Sequence, residues 1–366
     1  MATAPANPVR FSPSVEQHRP EEDETVTTLK DTFKTILDTT SSNYGHAVRG
    51  VHAKSHGIVT GTLTILDGLP PTLAQGLFAQ PGSYEAVLRL STAPGDILDD
   101  AVSAPRGIAL KVLGVPGDRL PESHDGDQDF LMVNGPVFGA PTPAAFAKNL
   151  KLLAATTDKA EGLKKAWSAT LRVIEGALEA VGGKSVLLSQ LGGTPEVDPL
   201  GETYFTQTAY RYGDHIAKFS LKPVSAALTE RTGDKVDVKD RPDALRDVVR
   251  GVMIERGGTW QLCVQLCTDL DKMPVEDPTV LWDEKLSPFV PVATLVVEPQ
   301  LAWENGVSED QEDRLSFSPW HGLAAHRPLG SVNRARQDIY QFSAEYRSRA
   351  NGCPMHQIKA LEDLDA

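Results

Sequence analysis

Arg49-Gly-Val-His-Ala-Lys54 and the stretch after it, Thr60-Gly-Thr-Leu-Thr-Ile65, decide how this chain is read. In the second, Val59, Leu63 and Ile65 alternate with threonines. A period of two marks a half-buried β-strand, whose side chains point in turn to core and to solvent. His52 then stands at the start of a strand between Val51 and Ala53, facing inward, with its imidazole turned to a buried cavity. Taken alone, a histidine in that place reads as a hydrogen-bonded core or rim residue. A second cluster, far along the chain, changes the balance.

That cluster is Asn333-Arg-Ala-Arg-Gln-Asp-Ile-Tyr-Gln-Phe-Ser-Ala-Glu-Tyr-Arg347. On a helix of 3.6 residues per turn, Arg336, Tyr340 and Arg347 project within roughly 40° of one another. Positive charge beside a phenol favours the phenolate. A phenolate on a rigid helix can ligate ferric iron, and tyrosinate serves as an axial ligand of haem. The plainer reading is a solvated helix face with an ordinary cation–π pair. His321 and His326, in Trp320-His-Gly-Leu-Ala-Ala-His326, precede this helix and are the rival ligands.

Composition narrows the classes. The 366 residues carry a formal net charge of −13, with pI about 5.2. So acidic a surface disfavours nucleic acid and anionic membranes, because phosphate binding needs a basic face. No apolar run is long enough to span a bilayer, and the start of the chain lacks the basic and apolar parts of a signal peptide. The three cysteines, Cys263, Cys267 and Cys353, argue against a disulfide scaffold and for a reducing cytoplasm. Cys263 and Cys267 share one strand face and lack further ligands nearby, so a zinc site is not expected. The acidic stretch Asp125-Gly-Asp-Gln-Asp129 lacks the rest of a calcium loop and reads as a turn.

Residues 1–24 are Pro-rich and charged and read as a loose arm. Residues 25–366 read as one domain. Val26, Leu29, Phe33, Ile36 and Leu37 predict an amphipathic helix over 25–39. Strands are expected at 84–91, 107–113, 129–133, 203–211, 215–222 and 259–268, and extended chain at 276–298. Helices are expected over 143–182, 242–254 and 333–349. Short strands separated by Gly/Pro turns suggest an α+β chain with a central antiparallel β-barrel and peripheral helices.

Several stretches together resemble the haem catalases, and more closely the small catalase-related peroxidases. Arg49-Gly-Val-His-Ala-Lys54 is similar to the family's Arg-Val-Val-His-Ala-Lys, which holds the distal histidine. Leu88-Arg-Leu-Ser-Thr92 is similar to Val-Arg-Phe-Ser-Thr, and Pro105-Arg-Gly-Ile-Ala-Leu-Lys111 to Pro-Arg-Gly-Phe-Ala-Leu-Lys. Asp129-Phe-Leu-Met-Val-Asn-Gly-Pro-Val-Phe138 parallels the segment of the distal asparagine. Leu281-Trp-Asp-Glu-Lys-Leu-Ser-Pro-Phe-Val-Pro-Val-Ala-Thr-Leu295 resembles the segment after the barrel more loosely. Arg336-Gln-Asp-Ile-Tyr340 matches the Arg-x-x-x-Tyr of the proximal tyrosinate. The motifs run in the family's order from about residue 45 to 350.

The resemblance implies a catalase-like haem fold binding one haem b through its iron. His52 would be the distal base, oriented by Ser91. Arg49, Arg89 and Arg347 would pair with the propionates, where a guanidinium fork suits a carboxylate. Tyr340 would ligate the iron, Arg336 would hold it as phenolate, and Phe146 would lie over the distal face. Asn134 is the candidate distal amide. The family has two successive asparagines where this chain has Val133 and Asn134, so Asn134 needs a one-residue register shift, and a slip reverses a strand residue's face. Two further departures are the short chain, which leaves a haem more open to one-electron donors, and Val51, where allene oxide synthases carry threonine.

The function implied is a cytoplasmic haem peroxidase. It would reduce hydrogen peroxide or small organic hydroperoxides with external donors and have weak catalase activity. A fatty-acid hydroperoxide isomerase or lyase of the allene oxide synthase type, and a non-catalytic haem carrier or sensor, stay open beside it. The partners expected are peroxide and a small-molecule electron donor, with no nucleic acid and no membrane; a homodimer is allowed. His46, His56 and His124 read as surface or loop residues.

Overall fold

A computed structural model describes residues 3–121, 123, 126–154, 196–353, 358 and 360–364. Most of the helix expected over 143–182 lies outside the described residues, as does His124.

Nine strands are described: β1 Ser55–Ile65, β2 Ser83–Thr92, β3 Arg106–Val112, β4 Gln128–Val133, β5 Tyr204–Phe205, β6 Tyr210–Tyr212, β7 His215–Pro223, β8 Gly258–Leu266 and β9 Val290–Val297. They pair antiparallel in the order β5-β4-β3-β2-β1-β9-β8-β7-β6, and β5 also pairs with β7. That last pairing closes eight strands into a barrel and leaves β6 outside on β7. Closure removes the unpaired edges that an open sheet would present. The alternation seen in the sequence sets the two surfaces of the wall. Ala86, Leu88 and Leu90 face inward with Ile108, Leu110, Phe130 and Met132. Arg89, Ser91 and Gly107 therefore face outward. An eight-stranded barrel is just wide enough to be filled by side chains, and here Phe78, Tyr210, Tyr212 and Phe219 fill it.

The expected strand over 203–211 is two short strands, because the chain turns at Gln207. Its φ is 62°, and its side-chain amide donates to the carbonyls of Gly135 and Val137. The expected extended stretch over 276–298 is strand only from Val290.

Six α-helices are described: α1 Glu22–Tyr44, α2 Pro143–Ala154, α3 Ala226–Thr229, α4 Ala244–Arg256, α5 Val307–Arg314 and α6 Ser331–Asn351. None is long and apolar enough to cross a membrane. Leu29, Phe33 and Ile36 of α1, Ala147 and Leu150 of α2, and Ala335 and Ile339 of α6 form one apolar cluster. Each large side chain buried there contributes about 1.5–3 kcal/mol. That exceeds what helix propensity could add, so packing decides where α6 lies.

Residues 3–21 do not form a loose arm. Val9, Phe11 and Val15 pack against the cluster that holds Trp282 and Leu329. The Val9 amide donates to the Cys267 carbonyl at 2.7 Å, and that of Phe11 to Asp214 at 2.8 Å. Three apolar side chains suffice to dock a segment whose overall composition is polar.

Candidate active site

His52 is not in a strand. β1 begins three residues later, and His52 occupies a bend with φ 55°. The left-handed region costs a residue with a Cβ on the order of 1 kcal/mol, so neighbours must hold it there. The His52 amide donates to the Ala93 carbonyl at 2.8 Å, and that of Ala53 to Pro94 at 3.0 Å. Nδ1 of the ring is hydrogen-bonded to Ser91 Oγ at 3.1 Å. The ring itself lies against Gly107. A Cβ at that position would come within 2.4 Å of His52 Cε1 and 2.5 Å of Nδ1, so only glycine admits the ring. Ser91 and Gly107 are cross-strand partners, so both present the same outer face of the barrel to His52. With Nδ1 engaged, Nε2 is the ring atom left to act on another molecule. Burial, then the charges of Arg89, Arg336 and Arg49, push the imidazole down to about 3. At neutral pH it is an uncharged proton acceptor.

Three arginines meet beside it. Arg89 Nε lies 2.7 and 2.9 Å from the two carboxylate oxygens of Glu312, and its Nη2 donates to the His52 carbonyl at 2.9 Å. Arg49 bonds the same carboxylate and donates to the carbonyls of Glu312 and Leu315 at 3.0 and 2.8 Å. Arg347 donates to these two carbonyls at 3.1 and 3.3 Å. Burial, then Arg347, lowers Arg89 to about 9, and burial lowers Arg347 to about 10. Guanidinium stays protonated in proteins, so these shifts report mainly how deeply the two charges are buried. The Glu312 carboxylate is in direct contact with Arg49 and Arg89, and Asp313 acts on Arg49 and Arg347 through space.

The opposite wall is α6. Arg336 Nη2 donates to Tyr340 Oη at 3.2 Å, and Nη1 donates to Asn333 Oδ1 at 3.1 Å. Asn333 is itself pinned, accepting from Thr208 Oγ1 and donating to the carbonyls of Ala209 and Leu329. Burial pulls the Arg336 pKa down, but the phenols of Tyr340 and Tyr210 outweigh it and the net shift is upward. The Gly50 amide donates to Ser343 Oγ at 3.3 Å, and Val51 packs on the cluster of Ala335 and Ile339. The charge of Arg336 reaches the His52 ring. The segment before β1 and the face of α6 therefore build one site, although nearly three hundred residues separate them in sequence.

No protein-family model matches the sequence, and no curated protein does. Solved structures do match in shape. A fungal catalase superposes with a TM-score of 0.60 at 21% identity, over 87% of this chain and 63% of that one. Catalase A from Saccharomyces cerevisiae gives 0.58 at 17%, over 97% and 70%. A bacterial catalase gives 0.54 at 18%, over 87% and 62%. The fold is that of the catalases. The chain spans less than two thirds of the length of the fungal and bacterial catalases.

Within this catalase fold, most of the residues singled out from sequence come together: Arg49, His52, Arg89, Ser91, Arg336, Tyr340 and Arg347. Phe146 on α2 packs at the margin of the α1–α2–α6 cluster, with its ring 5.3 Å from that of Phe138. Asn134 is not brought to His52. Its side chain accepts from the Arg106 amide at 2.9 Å and donates to Glu202 at 2.8 Å. Strand register gives the reason: Gly107 pairs with Val133 and Ser91 with Gly107, so Val133 takes the His52 face and Asn134 the opposite one.

The rival ligands are engaged elsewhere. His326 is sealed inside the barrel, and its Nε2 accepts from the Leu77 amide at 3.0 Å. His321 is hydrogen-bonded to Asp129 at 3.2 Å. His46 is exposed and paired with Asp313, as a surface residue should be. His56 is not a surface or loop residue: it is fully buried on β1 and bonded to Thr92. The stretch read as a turn leads straight into β4, which holds Asp129, and Asp127 and Asp129 are both buried against Lys111. With His321 they could group around a metal ion, but the Lys111 ammonium already supplies the cation.

Glu312 was not singled out from sequence. It sits in the acidic run Glu309-Asp-Gln-Glu-Asp313, which reads as a solvated helix face. Gly107 carried a signal only through the motif around it.

Proposed function

We propose that this chain is a haem-dependent peroxidase that reduces hydrogen peroxide or small organic hydroperoxides with an external electron donor and disproportionates hydrogen peroxide weakly. One observation carries the reading. A neutral histidine, a cluster of three arginines and an arginine-bound phenol are brought together by the outer face of the barrel and α6. The donor set fits haem. Three neighbouring guanidiniums suit two propionates, and a phenol facing a guanidinium suits ferric iron.

In this reading Arg49, Arg89 and Arg347 would hold the propionates. Tyr340 would be the iron ligand, and Arg336 would favour its phenolate. Phe146 would bound the distal face. When bound, haem supplies the iron at which the O–O bond of the peroxide breaks. His52 accepts the proton of the peroxide at Nε2 and returns it to the departing oxygen. Ser91 keeps the ring oriented through Nδ1. Val133, where an amide would otherwise face the peroxide, offers no hydrogen bond. That supports weak dismutation and admits the apolar part of an organic hydroperoxide.

The test is the absorption spectrum of the purified protein with haemin, followed by peroxide and a donor. A ferric tyrosinate spectrum that Tyr340→Phe abolishes, with donor-dependent turnover, is expected. An unchanged Tyr340→Phe spectrum would place the ligand elsewhere. A rearranged product formed from a lipid hydroperoxide without donor would favour an isomerase, and no turnover at all a carrier.

A further inference from the structure

We propose that Glu312 is a carboxylate latch, a side chain of this protein that must release Arg49 and Arg89 before haem can be seated. The inference rests on the haem reading above and adds a competitor built into the chain. Both oxygens of Glu312 are within hydrogen-bond distance of Arg89 Nε, and Arg49 Nη1 bonds one of them. A propionate paired with Arg89 Nε and Arg49 Nη1 would compete with Glu312 for these N–H groups. The Glu312 side chain is 13% exposed, so it is held inside the cluster rather than resting on its rim.

The position of Glu312 in its helix points the same way. It lies in the last turn of α5, where the helix dipole disfavours negative charge. The arginines, not the helix, hold it in place. Without Glu312, Arg49 and Arg89 would lose the carboxylate that bridges them. With it, the cluster stays closed until a ligand carrying more charge arrives. A dicarboxylate porphyrin offers two negative charges for the one it displaces. Glu312 therefore screens the cluster and favours porphyrins with two free carboxylates over single carboxylates.

The experiment uses the full chain and follows the Soret band in stopped flow, with haemin and with haemin dimethyl ester as probes. Glu312→Gln is expected to load haemin at least about 10-fold faster or tighter than the unsubstituted protein, as loss of a charge-assisted bond implies. The ester, having no free carboxylate, should not distinguish the two. Before loading, Glu312→Gln should unfold at a lower temperature, and haemin should raise its midpoint by more than it raises that of the unsubstituted protein. Glu312→Asp keeps the charge on a shorter arm and should fall between them; it also carries the test if the glutamine variant does not fold. Haemin loading that is equal or slower in both variants overturns the latch and leaves the haem reading standing. No Soret change with haemin in any of the three proteins overturns the haem reading, and the latch with it.

Discussion

Two histidines, one on each side of the barrel wall, have their pKa lowered to about 3, and burial is the largest cause for both. His326 lies inside. Its ring centroid is 5.4 Å from that of Phe78 and 5.9 Å from that of Phe219, and its Nε2 is spent on the Leu77 amide. His52 lies outside. Protein surrounds its ring closely, yet part of its surface stays open. Its other neighbours are the charges of Arg89, Arg336 and Arg49. A lowered pKa by itself therefore marks nothing but burial. An accessible ring nitrogen beside a cluster of guanidiniums is what separates the candidate base from the structural residue.

The largest expected effect breaks or keeps this distinction outright. His52→Ala should slow the reaction of the haem-loaded protein with peroxide by roughly 10²–10⁴, measured by stopped-flow absorbance. His326→Gln should leave that rate within a few-fold. Equal losses would erase the contrast between the two sides of the wall.

A smaller change sharpens the contrast through geometry alone. Gly107→Ala puts a Cβ where the His52 ring now lies. The ring must move by about an ångström, which should lower the peroxide rate on the order of 10²-fold. It should do so without loss of the folded state, checked by circular dichroism. A rate unchanged in Gly107→Ala would mean that the position of the ring does not govern the chemistry.

The smallest effect tests what the two histidines share. Each is neutral in the folded chain down to about pH 3, whereas an unfolded histidine takes up its proton near pH 6.5. Below about pH 6.5 the unfolded state thus binds protons that the folded state refuses. The stability these groups contribute is complete above that pH and falls as pH drops towards 3. Each contributes at most about 1.4 kcal/mol per pH unit. Denaturant titrations between pH 7 and 4 should show this slope, and His326→Gln should remove about a third of the histidine part of it, because buried His56 is lowered as well. A slope indifferent to His326→Gln would mean that the ring is protonated inside the barrel.

Much of this was legible in the residues. The alternation around Val59, Leu63 and Ile65 and in Leu88-Arg-Leu-Ser91 reports a barrel wall, because one face of each strand must be apolar. The 0, 4, 11 spacing of Arg336, Tyr340 and Arg347 reports one helix face, because 3.6 residues make a turn. Glu312 could not be read: an acid in an acidic run looks solvated until three arginines from other segments close on it. The N-terminal segment misled for the same reason, since Val9 and Phe11 find their partners more than two hundred residues away.

Local periodicity and the types of the reactive residues were thus the sequence's own to determine, since both depend on a few neighbours along the chain. Which face Asn134 and Val133 take, which histidine stays open, and where Glu312 puts its charge were decided only by tertiary structure. Strand register, barrel closure and the meeting of Arg49, Arg89 and Arg347 are pairings between distant segments, and no stretch of the chain contains both partners.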